Sequence, residues 1–189
     1  LQGLPETLDL AQPARTAPQL DSILRRLLFL RSLSIADADG RILASSNPAN
    51  IGQQIDTQAF QPPAEGDAVA TFLRLGPPWA GRDFADGRQT APALPATPGD
   101  TGFLPLVREE VVDGRRLKLL ATLNPDYFIS HFACHVDPGL SQVEMIAYDG
   151  RLLVSLAENQ AIGQRLADDE RLQHMRASEI GNFANDLVH

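Results

Sequence analysis

The sequence predicts an α+β fold: a five-stranded antiparallel sheet behind a long N-terminal helix, followed by an incomplete second copy of the same unit. Three observations carry this reading. First, Asp39-Gly40-Arg41-Ile42-Leu43-Ala44-Ser45 returns 110 residues later as Asp149-Gly150-Arg151-Leu152-Leu153-Val154-Ser155. Each copy is preceded by an apolar alternation, Leu33/Ile35 and Val143/Met145, and followed by Ile51-Gly52-Gln53 or Ile162-Gly163-Gln164. A repeat made of a hairpin, its flanking strands and the entry to a helix marks two copies of one folding unit. Second, Asp39-Gly40 and Asp113-Gly114 each separate two apolar strand-like runs, and Asp-Gly suits the positive φ angles of tight hairpin turns. Third, Leu20, Ile23, Leu24, Leu27 and Leu28 recur at the spacing of one helix face.

Taken in order, residues 1–15 are rich in proline and polar side chains and form a lead-in. Thr16-Ala17-Pro18-Gln19 has the spacing of a capping box, which places the helix start at Thr16. Strands are expected over 33–37 and 41–46, and Asn47-Pro48 breaks the second of them. A short helix or loop covers 51–60. A third strand, 69–75, puts Val69, Thr71, Leu73 and Leu75 on one face. Residues 76–102 are dense in Gly, Pro and small polar residues and read as one long loop, a feature tied to function or disorder. Strands at 103–112 and 115–122 complete the sheet. Asn124-Pro125-Asp126 then starts a helix, with an N-cap, proline at the first helical position and an acid near the positive end of the dipole.

That helix ends before Asp137-Pro138-Gly139, and the repeat restarts: hairpin, polar helix from about 164 to 177, and a strand within 181–188. The division is therefore 1–15 lead-in, 16–136 first unit, 137–189 start of a second. Lacking its last two strands, the second unit would leave unpaired edges, so the natural chain is expected to continue past His189.

Composition narrows the function. The 189 residues are 43% hydrophobic and 21% charged, ordinary for a folded domain. The net charge of −8 argues against nucleic acid as a partner. One cysteine, Cys134, excludes an internal disulfide. The most apolar run, Leu27-Leu28-Phe29-Leu30, is bracketed by Arg25, Arg26 and Arg31 and falls far short of the roughly 18 residues that cross a bilayer.

The segment Ser34 to Ser46, with Asn47-Pro48 and Ile51-Gly52, resembles the first hairpin of Cache domains, PAS-like sensor modules that lie outside the membrane in bacterial receptors. Gly81-Arg82-Asp83-Phe84 and Leu123-Asn124-Pro125-Asp126-Tyr127-Phe128 resemble segments of such sensors attached to diguanylate cyclases and histidine kinases. The resemblance runs from about residue 16 to 170. It implies the periplasmic, tandem (double Cache) sensing region of an inner-membrane receptor, not itself catalytic, with any enzymatic output elsewhere. It also implies a small ligand in the first unit, a signal carried by the helix from Asn124, and a homodimer along the N-terminal helix. Membrane contact would come only through flanking transmembrane helices outside this chain. The arginine, tryptophan and tyrosine set of amino-acid-binding Cache sensors is not found, so amino acids are not favoured as ligand.

The expected ligand-binding residues are Trp79, Arg82 and Asp83 in the long loop, with Arg74 and Arg108 on the facing strands. An aromatic wall and guanidinium forks suit a small anionic molecule of unknown identity. The competing reading has Trp79 capping the core and Arg82 and Asp83 paired with each other or with backbone. His131, Cys134 and His135 lie on one helix, the two histidines sharing a face as paired zinc ligands do. No acidic base lies between them, and Phe128 and Phe132 mark the helix as packing surface, so a metal enzyme built there is the weaker alternative. Cys134 is expected buried and unreactive. Ser45 and Ser46 close the first hairpin without a Gly-x-Ser-x-Gly elbow. No cofactor is required. A different class of function is a dimerisation or protein-binding module with no small ligand, for which a closed pocket filled by Trp79 would speak.

Overall fold

The computed structural model describes residues 13–58, 60, 73–89, 102–137, 143–147, 150–156 and 173. The lead-in, most of the third strand, the expected 164–177 helix apart from Gln173 and the expected strand at 181–188 lie outside the described residues. Helix α1 is Pro13–Leu24; strands β1 and β2 are Leu30–Ala36 and Ile42–Ser45. After a 3-10 turn at Pro48–Asn50 come β3 (Arg74–Leu75), β4 (Trp79–Ala80), β5 (Arg88–Gln89), β6 (Leu104–Val112) and β7 (Arg115–Leu123). Helix α2 is Pro125–Ala133, and β8 (Glu144–Ile146) and β9 (Leu152–Ser155) form the last hairpin. No helix among the described residues is long and apolar enough to cross a membrane.

Five strands make one antiparallel sheet in the order β2-β1-β7-β6-β3, compatible with the PAS-like plan. The turns follow local chemistry. Asp37 Oδ1 accepts from the amides of Asp39 and Arg41 at 3.0 and 2.9 Å, and Gly40 takes φ +95° between them. Glycine is required there on a second count, because a Cβ would sit 2.2 Å from the Ile55 carbonyl oxygen. At the β6–β7 turn Asp113 and Gly114 both adopt positive φ, 51° and 74°, the two-residue turn whose twist matches that of the strands.

Side-chain alternation gives the sheet two unlike faces. Leu33 and Ile35 pair with Ala121 and Leu119, and with Leu104 and Leu106 they form a core that α1 closes through Leu20. The opposite face carries Ser32, Ser34 and Thr122 beside Val107 and Leu120, and the irregular segments around 47–60 and 76–89 cover it. The site lies on this second face.

Three local expectations are corrected. Helix α1 already runs from Pro13, so Thr16 is a buried residue within it and not its N-cap. The helix closes at Leu24 through tight bonds from Arg26 N to Ile23 O (3.0 Å) and Leu27 N to Leu24 O (2.9 Å). The apolar stripe therefore stops early: Ile23, Leu24 and Leu27 pack on the core, whereas Leu28 is 70% exposed. Within the expected long loop, β4 and β5 pair as a small ribbon, Trp79 opposite Gln89.

The sequence repeat is a structural repeat at the level of the hairpin. Ser34↔Ser45, Ile35↔Ala44 and Ala36↔Ile42 recur as Glu144↔Ser155, Met145↔Val154 and Ile146↔Leu152, with the same irregularity at the same step. Gly150 repeats the positive φ of Gly40, at 84°. Even the bond beyond the ladder is kept: Ser46 N to Leu33 O at 2.9 Å, Leu156 N to Val143 O at 3.1 Å. Ala147, Leu153 and Val154 of the second hairpin join the helix-side core.

Candidate functional site

A buried carboxylate organises the loop-covered face. Asp83, 7% exposed, accepts four short hydrogen bonds. Ser32 Oγ (2.7 Å), Asn50 Nδ2 (2.8 Å) and the Phe84 amide (2.8 Å) donate to Oδ1, and Asn47 Nδ2 (2.8 Å) donates to Oδ2. A charge taken out of water persists only when its lone pairs are met in this way. Asn50, fully buried, completes the tie by accepting from the Ala85 amide at 2.9 Å. Asp86 holds the same loop from its far end, accepting from the amides of Arg82 and Asp83. One acid and two asparagines thus join β1, the turn after β2 and the 81–87 loop.

Beside this knot opens a cleft of about 490 Å³ lined by Arg31, Asn47, Arg82, Asp83 and Asp86. Arg82 is exposed at its mouth. Arg31 reaches it from an irregular step in the sheet: Leu30 pairs with Leu123 and Ser32 with Thr122, leaving Arg31 as the extra residue of a bulge. Bulges re-aim a side chain in this way. The Arg31 fork crosses to the start of α2, donating to Asn124 Oδ1 from Nε (3.1 Å) and Nη2 (2.8 Å) and to Asp126 Oδ2 from Nη2 (3.0 Å). Nη1 makes a longer contact, 3.4 Å, to the Arg82 carbonyl. Asn124 and Asp126 line a second cleft of about 440 Å³ with Tyr127, Ser130 and His131.

The residues expected to bind ligand are only partly brought together. Arg82 and Asp83 share the cleft. Trp79 lies apart from it, half-buried against Phe84 and Phe103 at centroid distances of 5.7 and 5.6 Å. With Phe60, Ile42 and Ile55 these rings fill the interior beneath the sheet. Arg74 stands opposite Val107 and pairs with Glu109. Arg108 is one residue out of phase with Val107, hence on the helix side of the sheet, and pairs with Glu110 at 2.6 Å. Arg82 and Asp83 do not bond to each other.

Sequence reasoning missed Arg31, Asn47 and Asn50. Arg31 figured only as the charge ending an apolar run, and Asn47 only as a strand breaker. Asn124 stands at the N-cap of α2 as expected, with extended backbone (φ −93°, ψ 104°), but its side chain makes no capping bond because Arg31 holds it. On α2 the rings of His131 and His135 lie 4.7 Å apart and His135 Nδ1 meets the His131 carbonyl at 2.7 Å. Among the described residues no group of three potential metal ligands assembles. Cys134 is exposed, contrary to expectation, because it follows the last turn of α2.

No protein-family model matches the chain, and no curated protein sequence is significantly similar to it. In three dimensions it is similar to the crystal structure of the extracellular domain of a protein named as a histidine kinase, rpHK1S-Z16. The TM-score is 0.53 and the identity 21%, over 83% of this chain and 59% of that one. The likeness is one of fold. The chain spans about three-fifths of the length of that extracellular domain.

Proposed function

We propose that the chain is the extracytoplasmic sensing region of a membrane-anchored signalling receptor, a PAS-like (Cache) unit followed by the start of a second. The observation that carries this is the fold shared with the extracellular domain of a protein named as a histidine kinase, over 83% of the chain. The register-for-register repetition of the first hairpin supports the tandem reading. The input is a small carboxylate held in the cleft between Arg31 and Arg82, since paired guanidinium groups suit planar oxyanions. Catalysis lies outside this segment.

A thermal-shift screen with carboxylates, amines, nucleobases and sugars tests the input. A ligand at a hundred times its dissociation constant adds about 2.7 kcal/mol of stability, so a specific carboxylate should raise the melting temperature and Arg82→Ala should abolish the rise. A rise that survives Arg82→Ala unchanged removes the cleft from consideration.

One observation favours a second reading. The interior beneath the sheet is filled by Trp79, Phe84 and Phe103, as in a module that meets another protein instead of a small ligand. A screen with no hit, together with a stable homodimer in sedimentation, would favour it. Such a dimer would use the side of α1 away from Leu20, whose own side faces the sheet.

A further inference from the structure

Arg31 is where the sheet, the cleft loop and α2 meet, and its donors are nearly all engaged. The single hydrogen on Nε and two bonds from Nη2 go to Asn124 and Asp126. A guanidinium offers two parallel N–H groups along either edge that includes Nη2. No such edge is open while Nη2 holds both partners. A carboxylate entering the cleft to be bound in bidentate fashion must therefore displace at least one of them. Asn124 has somewhere to go. It stands at the N-cap of α2 with the extended backbone of a cap, Asn is among the best capping residues, and the Tyr127 amide has only a 3.3 Å bond to the Asn124 carbonyl.

We propose that Arg31 is the residue through which a bound carboxylate is read. The anion draws the guanidinium off Asn124, and the released Asn124 Oδ1 accepts from the Asp126 or Tyr127 amide and caps α2. This rests on the cleft being the ligand site. The fork thus holds α2 uncapped without ligand, and ligand exchanges one set of hydrogen bonds for another. The consequence travels by packing: Phe128 and Ile129 of α2 lie against the core that contains Ala147, Leu153 and Val154 of the second hairpin. The signal reaches the second hairpin as a change in how the helix begins.

The test is amide NMR on the 189-residue chain, titrated with acetate, malonate, succinate and benzoate to millimolar concentration. Binding should move the Asp126 and Tyr127 cross-peaks and slow Tyr127 hydrogen exchange about fivefold, the equivalent of one side-chain cap. Ligand-free Arg31→Met should move the same peaks in the same direction, and Asn124→Ala should abolish both movements. Should Arg31→Met fold poorly, Arg31→Lys keeps the charge but loses the two-pronged hold and should give a smaller displacement along the same line. Binding that needs Arg82 yet leaves Asp126 and Tyr127 unmoved overturns the relay and leaves the cleft standing. No binding by any of the four carboxylates overturns both.

Discussion

Asn50 and Asp83 meet across 33 positions of sequence through a 2.8 Å bond from Nδ2 to Oδ1, both residues buried. The asparagine also receives the Ala85 amide, so one side chain closes two loops over the sheet. It is the centre of the loop-covered face, and its removal leaves a buried carboxylate short of a donor.

Asn50→Ala should therefore destabilise the protein by about 3 kcal/mol, at the upper end for losing a hydrogen bond to a buried charge. Arg82→Ala, next to Asp83 in sequence but exposed, should stay within about 0.5 kcal/mol of the parent. Urea unfolding of the two variants checks both values. Equal midpoints for the pair would mean that the knot contributes nothing.

Glycines with similar dihedral angles should respond differently to substitution. Gly40 and Gly52 both have positive φ, 95° and 87°, but a Cβ at Gly40 strikes the Ile55 carbonyl whereas one at Gly52 meets nothing within 4 Å. Gly52→Ala should cost about 1 kcal/mol for the left-handed backbone alone. Gly40→Ala should cost at least about 1 kcal/mol more, since backbone has to move. Thermal melts of the two variants side by side decide it.

The two ends of the leucine stripe should also part company. Leu20→Ala removes a fully buried side chain from the helix-side core and should cost about 2–5 kcal/mol. Leu28→Ala, at a residue 70% exposed, should remain within about 0.5 kcal/mol. A large effect at Leu28 would show that its face is covered in solution, which a dimer would explain.

Cys134 should react with a thiol reagent in the native protein at a rate near that of the unfolded chain, because it is exposed beyond the last turn of α2. Protection in buffer followed by release in denaturant would place it in an interface.

What the sequence made legible was what neighbours along the chain decide. Asp113-Gly114 carries its turn in its own dihedral preferences, and Leu33/Ile35 announce a face by alternation alone. The stripe from Leu20 pointed to the right packing surface, although its end was invisible: helix termination at Leu24 depends on β1 having to begin at Leu30. Asn124 exposes the limit most directly. Its local context is that of a cap, and a residue 93 positions earlier takes its side chain away. Asp83 was recognisable as an acid in a loop. That Ser32, Asn47 and Asn50 would surround it could not be read, since two segments distant from the 81–87 loop supply these donors. Arg108 was misplaced relative to Arg74 by phase: the register of β6 against β3 sets the face, and composition carries no register.

The shared register of the two hairpins bears on how such a chain changes. The repeats stand 110 residues apart through the ladder and 111 beyond it, so the extra residue falls between Ser155 and Ile162. Inside a strand, one added residue turns every later side chain to the other face. Placed after the last ladder bond, it alters only the connector, and the connector is what supplies Asn47 and Asn50 in the first copy. The second copy has Leu156-Ala157-Glu158-Asn159-Gln160-Ala161 there, with Gln142 and Glu144 where the first has Ser32 and Ser34. Among the described residues the pleated frame occurs twice, and the side chains seen to clamp an acid against it are those of the first copy.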